Sequence, residues 1–208
     1  MKLSVIVPSL TGEVPASVLA LGDAIELVVV RGVSPVSAAR NEGLRRATGE
    51  FVAWVDSDDE VTGEWLDEIL GRLEREERVD VVTFDVRQEW HDGSGRPDGI
   101  LDGRMCGQLW SKVFRRSLFE GLSFEGAVHE DWRIQCQMPK TVKRVHIDKV
   151  LYVYRRQRNG LSQHRHAGET WSALWGLVKI CNSWKMAKGI AERFWDFAKT
   201  PVRRMIRP

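Results

Sequence analysis

The first 90 residues alternate between two hydrophobic patterns. Short apolar runs, LSVIVPSL (3–10), IELVVVRG (25–32), EFVAWVDS (50–57) and VDVVTFDV (79–86), are rich in β-branched residues and predict buried strands. Segments with helical spacing lie between them. PASVLALG (15–22) predicts a short helix ended by Gly22. SPVSAARNEGLRRATG (34–49) predicts a longer helix, with Ser34 as cap, Pro35 in the first turn and Gly49 at its end. GEWLDEILGRLEREE (63–77) places Trp65, Leu66, Ile69, Leu70 and Leu73 on one helical face. Such alternation implies an α/β fold with a parallel sheet and right-handed crossovers. Ligands of such sheets sit beyond the carboxyl ends of the strands.

The pattern loosens after residue 90. HDGSGRPDG (91–99) predicts a turn-rich loop, LWSKVFRRSLFEG (109–121) a helix, VHEDWRIQCQM (128–138) a helix opened by acidic residues, and VLYVYRRQ (150–157) a strand. From Glu169 to Lys199 the spacing turns helical again. Trp171, Leu174, Trp175, Val178 and Cys181, then Ala187, Ile190, Ala191, Phe194, Trp195 and Ala198, recur at that period, with Lys and Arg filling much of the rest. This division separates a body, residues 1–165, from a basic, aromatic-rich helical tail, residues 166–208.

Charge sharpens that division. The net charge is only +2, yet residues 149–208 hold 13 Lys and Arg against 3 Asp and Glu, and residues 1–148 hold 18 against 26. A basic amphipathic tail suits an anionic membrane surface through residues 169–199, or packing on the body or on a second copy in a homodimer. No nucleic-acid motif accompanies the charge, so a nucleic-acid partner is not expected. Hydrophobic residues at 43% and charged residues at 29% fit a globular chain. No stretch reaches the roughly 20 apolar residues of a membrane span. Cys106, Cys136 and Cys181 form no disulfide framework and no zinc spacing. With no signal-peptide pattern at the N-terminus, the expected setting is cytoplasmic, with the tail on the inner face of the membrane.

The third apolar run ends in Asp56, Ser57, Asp58 and Asp59. Three carboxylates at the mouth of a buried strand repel one another, and a hard divalent cation with oxygen ligands would offset this. A calcium loop fails on counting from Asp56, because the sixth position is Val61 and the twelfth is Asp67. A solvated turn that caps the following helix is the plainer alternative.

SVIVPSL, SAARNEGLRRATGEFVAWVDSDDEV, LWSKVFRRSLFEGLSFEGAVHEDWRI and LYVYRRQRNGLS occur in this order. Together they resemble the family 2 glycosyltransferases, over roughly residues 2–163. The resemblance implies a GT-A fold: a Rossmann-like, mixed but mainly parallel sheet flanked by helices. Residues 1–100 would form the nucleotide-sugar half and 101–165 the acceptor half. It implies an inverting transfer from a nucleotide-diphospho-sugar to a glycan or lipid-linked acceptor, as in bacterial surface polysaccharide synthesis, with Mn2+ or Mg2+ as cofactor. Asp56 and Asp58 match the D-x-D pair, Asp58 as direct metal ligand and Asp56 toward the ribose and metal. Asp59 would support the pair or cap the next helix. Pro8 and Ser57 would border the donor. Arg40 would reach the diphosphate or pair with the aspartates, and Asn41 would fix a loop. Asp131 would be the base and Glu130 would orient it or the acceptor. Trp110, Lys112 and Trp132 fall on the acceptor side. His164, with His166 as a weaker choice, matches a late histidine that some relatives use on the metal.

One departure stands out. The family's second strand normally ends in a pair of aspartates, one of which commonly contacts the nucleobase, and here Arg31 and Gly32 occupy that place. Uracil recognition therefore does not transfer. Two other functions stay open on the sequence: a catalytically silent sugar-nucleotide-binding protein, and a peripheral membrane scaffold that works through the tail.

Overall fold

The structure is a computed structural model that describes residues 2–91, 93–126 and 130–157. His164 and the whole tail, with His166 and the proposed membrane-facing segment, lie outside the described residues. No helix among the described residues is long and apolar enough to cross a membrane.

The predicted strands and helices of the first half are present, together with a short strand, β4, that the patterning does not predict. In chain order they are β1 (Leu3–Ser9), α1 (Ala16–Leu19), β2 (Glu26–Arg31), α2 (Val36–Arg46), β3 (Phe51–Trp54), β4 (Glu60–Val61), α3 (Trp65–Arg75) and β5 (Val81–His91). The second half adds β6 (Gly99–Leu101), β7 (Lys112–Arg115), α4 (Glu130–Gln137) and β8 (Arg144–Gln157). The strands lie in the order β2-β1-β3-β7-β5-β8-β4, with β6 paired to β5.

The sheet is more mixed than strand–helix alternation implies. β1–β2, β1–β3 and β5–β8 are parallel. β7 is antiparallel to both neighbours, β3 and β5. The segment 109–121, expected as a helix, supplies that strand between two 3-10 turns. A helix there would need a solvated face, and Leu109, Trp110, Ser111, Lys112, Val113 and Phe114 are all buried in succession.

Two apolar layers cover the sheet. On one face Trp65, Leu66, Ile69 and Leu73 of α3 pack against Phe84, Val86 and Leu151. Asp67 and Glu68 in the first turn of α3, and Arg72 and Arg75 in the last, complement its dipole. On the other face α2 and α4 cover Ile6, Val30, Trp54 and Phe114. Gly43 lets α2 sit close: a Cβ there would come 2.3 Å from Ile6 Cγ2. Trp54, the last residue of β3, is edge-on to Phe114, Phe119 and Phe124 with ring centroids 5.2–6.0 Å away. Such aromatic contacts fix the strand end from which the aspartate turn departs.

Candidate active site

Beyond β3 the chain turns sharply, with the Asp59 amide donating to the Asp56 carbonyl at 3.1 Å. The turn sorts its carboxylates. Asp58 is exposed, Asp56 and Ser57 are half-buried, and Asp59 is buried. Asp59 faces inward, where its carboxylate accepts from the Tyr152 hydroxyl at 2.7 Å and the Arg155 amide at 2.8 Å. The Tyr152 hydroxyl in turn accepts from the Asp56 amide at 3.2 Å. Asp59 therefore ties the turn to β8 and does not cap α3, whose start carries no side-chain cap. Burial, and then repulsion from Asp56, push Asp59 up to about 8. The same two causes raise Asp58.

Arg40, on α2, joins this turn to the acidic start of α4. Its buried guanidinium is ion-paired with Glu130 and lies 3.7 Å from Asp56. The Arg40 Nε is buried without a hydrogen-bond partner. Burial pushes Glu130 up to about 7, against the pull of Arg40. Asp131 is also raised, by burial, while Arg40, the Trp132 amide and Lys112 pull it down. Its carboxylate accepts from the Trp132 amide at 2.8 Å. Asn41 holds the approach to α4: its amide donates to the Phe124 carbonyl at 2.9 Å and accepts from the Phe124 amide at 2.8 Å. Three sequence segments as much as 90 residues apart thus meet beyond the carboxyl end of β3.

Other expected residues take different places. Pro8 lies in β1 in register with Val30. Trp110 is buried in the core and stacked on the rings of Tyr152 and Tyr154, at 5.3 and 5.1 Å, so little of it is open to a sugar. Lys112 is buried and its ammonium donates to the carbonyls of Cys106 and Gln108 and to the Ser111 hydroxyl. It straps a loop, and burial lowers it to about 8. Trp132 lies over Gly107, where a Cβ would collide with the indole. Arg31 is exposed at the end of β2, its guanidinium across Gly12. Tyr152 was not singled out by the sequence, because a tyrosine in an apolar strand reads as core until its hydroxyl partner is known.

Asp56, Asp58 and Asp59 do not gather three ligand atoms; among the described residues only Asp85, Asp102 and His146 do so. The strand end offers Asp58 and Asp56 at most, since Asp59 is engaged elsewhere. This fits a magnesium-type cation, which takes one or two carboxylates and completes its shell with water and substrate phosphates.

The profile of Glycosyl transferase family 2 matches residues 13–122, and the chain belongs to that family. The glycosyltransferase EpsH of Bacillus subtilis (strain 168) is 29% identical over 108 residues, 43% of this chain and 31% of EpsH. The chain thus spans about a third of the length of that relative. Among solved structures, Staphylococcus aureus TarS 1–349 in complex with UDP superposes with a TM-score of 0.69 at 17% identity, covering 100% of this chain and 76% of that one. Glucosyl-3-phosphoglycerate synthase of Mycobacterium tuberculosis, in complex with Mn2+, UDP-glucose and phosphoglyceric acid, gives 0.59 at 16% identity, covering 86% and 79%. These likenesses establish the GT-A glycosyltransferase fold.

Proposed function

We propose that the chain transfers a sugar, with inversion, from a nucleotide-diphospho-sugar to a hydroxyl of a glycan or lipid-linked acceptor. The observation that carries this reading is the buried Arg40, which pairs with both Asp56 of the D-x-D turn and Glu130 of the E-D pair. TarS bound to UDP, and the synthase bound to Mn2+ and UDP-glucose, support a diphospho-nucleotide donor with a divalent cation.

Asp58, with Asp56, would hold that cation. When bound, it supplies positive charge to the diphosphate and so favours departure of the nucleoside diphosphate. Arg40, with its unpartnered Nε, offers a donor to the same anion. Asp131 takes the proton from the acceptor hydroxyl, and a carboxyl raised above the usual aspartate range suits that task near neutral pH. Glu130 fixes Arg40 and is a positioning residue. Arg31 presents only donors where a carboxylate would present acceptors, so the base edge it meets must accept.

The test is donor turnover with Mn2+, followed as nucleoside diphosphate release. The wild type releases it only with metal, Asp58→Ala abolishes it, and Asp131→Asn lowers it by a factor of about 10² to 10⁴. Metal-independent turnover that survives Asp58→Ala contradicts the reading.

A further inference from the structure

Asp85, Asp102 and His146 lie away from the D-x-D turn, where β5 and β8 fall out of register. The pairing shifts between Phe84 and Val86, leaving Asp148, Lys149 and Leu151 without partners on β5. His146 and Thr83 are paired across the two strands. The Thr83 hydroxyl donates to the Val145 carbonyl at 3.3 Å and meets His146 Nδ1 at 2.9 Å. A hydroxyl has one proton; given to the Val145 carbonyl, it leaves Thr83 Oγ1 to accept from Nδ1–H, and in that neutral tautomer Nε2 carries the ring's free lone pair.

That lone pair faces carboxylates. His146 Nε2 lies 3.4 Å from Asp85 Oδ1 and 3.3 Å from Asp148 Oδ1, and ligand atoms of Asp85, Asp102 and His146 lie within 4.8 Å of one another. Nε2 is buried and hydrogen-bonds to neither oxygen. A proton on Nε2 would need one oxygen in line with it, and neither is. A cation between them would not. Two ligands of a tetrahedral zinc, each at 2.0–2.1 Å, stand roughly 3.3 Å apart, close to the 3.4 Å between His146 Nε2 and Asp85 Oδ1, and Asp102 has an oxygen within 4.8 Å of both. One imidazole with carboxylates is a donor set for zinc rather than magnesium. Asp85 also accepts from the Gly103 amide at 3.2 Å, and Arg104 pairs with Asp102 at 3.0 Å. These contacts orient the two carboxylates, as outer partners of metal ligands do.

We propose that Asp85, Asp102 and His146 form a zinc site separate from the donor-site cation and independent of the transferase reading. Zinc there pins the loop after β6 to β5 and β8. That loop supplies the Cys106 and Gln108 carbonyls that hold Lys112, and Gly107 beneath Trp132. The site is thus a brace for the floor beside Asp131.

The test uses the full chain carrying Asp56→Asn and Asp58→Asn, stripped with EDTA and titrated with Zn2+ against a chromogenic chelator. One zinc per chain is expected. His146→Gln and Asp102→Asn should each weaken it more than tenfold, and Thr83→Val roughly tenfold through loss of the ring's orientation. Circular dichroism checks folding. If His146→Gln does not fold, Asp102→Asn, in a surface turn, decides alone. Absence of a micromolar site, or binding unchanged in Asp102→Asn, overturns the proposal.

Discussion

Glu26 and Asp59 are both well hydrogen-bonded carboxylates, at opposite ends of the same sheet, and they respond to the fold in opposite directions. Glu26 opens β2. It accepts from the Ser4 hydroxyl at 2.5 Å, the Thr48 hydroxyl and amide at 2.6 and 2.7 Å, and Lys2 at 3.2 Å. Burial opposes its charge, but those donors outweigh it and bring Glu26 down to about 2. Asp59 has two donors and a neighbouring Asp56, and burial with that repulsion brings it up to about 8. The amino end of the sheet is electrostatically satisfied. The carboxyl end holds more negative charge than its own donors neutralise, with Arg40 as its central cation. An under-neutralised turn costs stability, and it is the arrangement that a cation and a diphosphate would complete.

The largest effect should come from the cation that holds the acidic end together. Arg40→Ala leaves Glu130 without its buried partner and should cost about 3–5 kcal/mol in urea unfolding. Arg40→Lys, with one ammonium for two carboxylates, should restore only part of it. Next comes Glu26→Gln. A depressed carboxylate stabilises the fold above its unfolded value of 4.5, and that contribution is lost as pH falls through about 2. Wild-type melting temperature should fall across that window. The variant should fall less, and at pH 7 it should be weaker by about 2 kcal/mol. Tyr152→Phe removes the hydroxyl between Asp59 and the Asp56 amide, and should cost about 1–2 kcal/mol. Smallest, and of opposite sign, is Asp59→Asn. A raised carboxylate loses stability for the fold as pH climbs from 3.8 to about 8. The variant should match wild type at pH 4 and gain about 1 kcal/mol at pH 9, read from thermal melts. Equal pH profiles for Glu26→Gln and Asp59→Asn would erase the contrast between the two ends.

Much of this was legible in the sequence where the cause is local. Apolar runs marked β1, β2, β3 and β5, and helical spacing marked α2 and α3 within two or three residues. The D-x-D and E-D residues stood out through the family resemblance, and the structure brings them together through Arg40. What escaped depends on partners outside each segment's own pattern. Lys112, expected in a helix on the acceptor side, lies buried in β7, where carbonyls four and six residues away accept from its ammonium. Trp110, placed on the acceptor side by the resemblance, is instead core, stacked on Tyr152 and Tyr154 of β8, a strand distant in the sequence. β4, two residues long, is held by pairing with Tyr152 and Val153, which no pattern within Glu60–Val61 announces.

The central claim is that the acidic end of the sheet is built for a cation carried with a diphosphate. Thermal melts of wild type and Asp58→Ala should be run with Mn2+ alone, with a panel of nucleoside diphosphates alone, and with both. The account predicts a clear rise in melting temperature for one nucleotide with Mn2+ in the wild type, and none in Asp58→Ala. A nucleotide shift of equal size without metal, or one unchanged in Asp58→Ala, would contradict it.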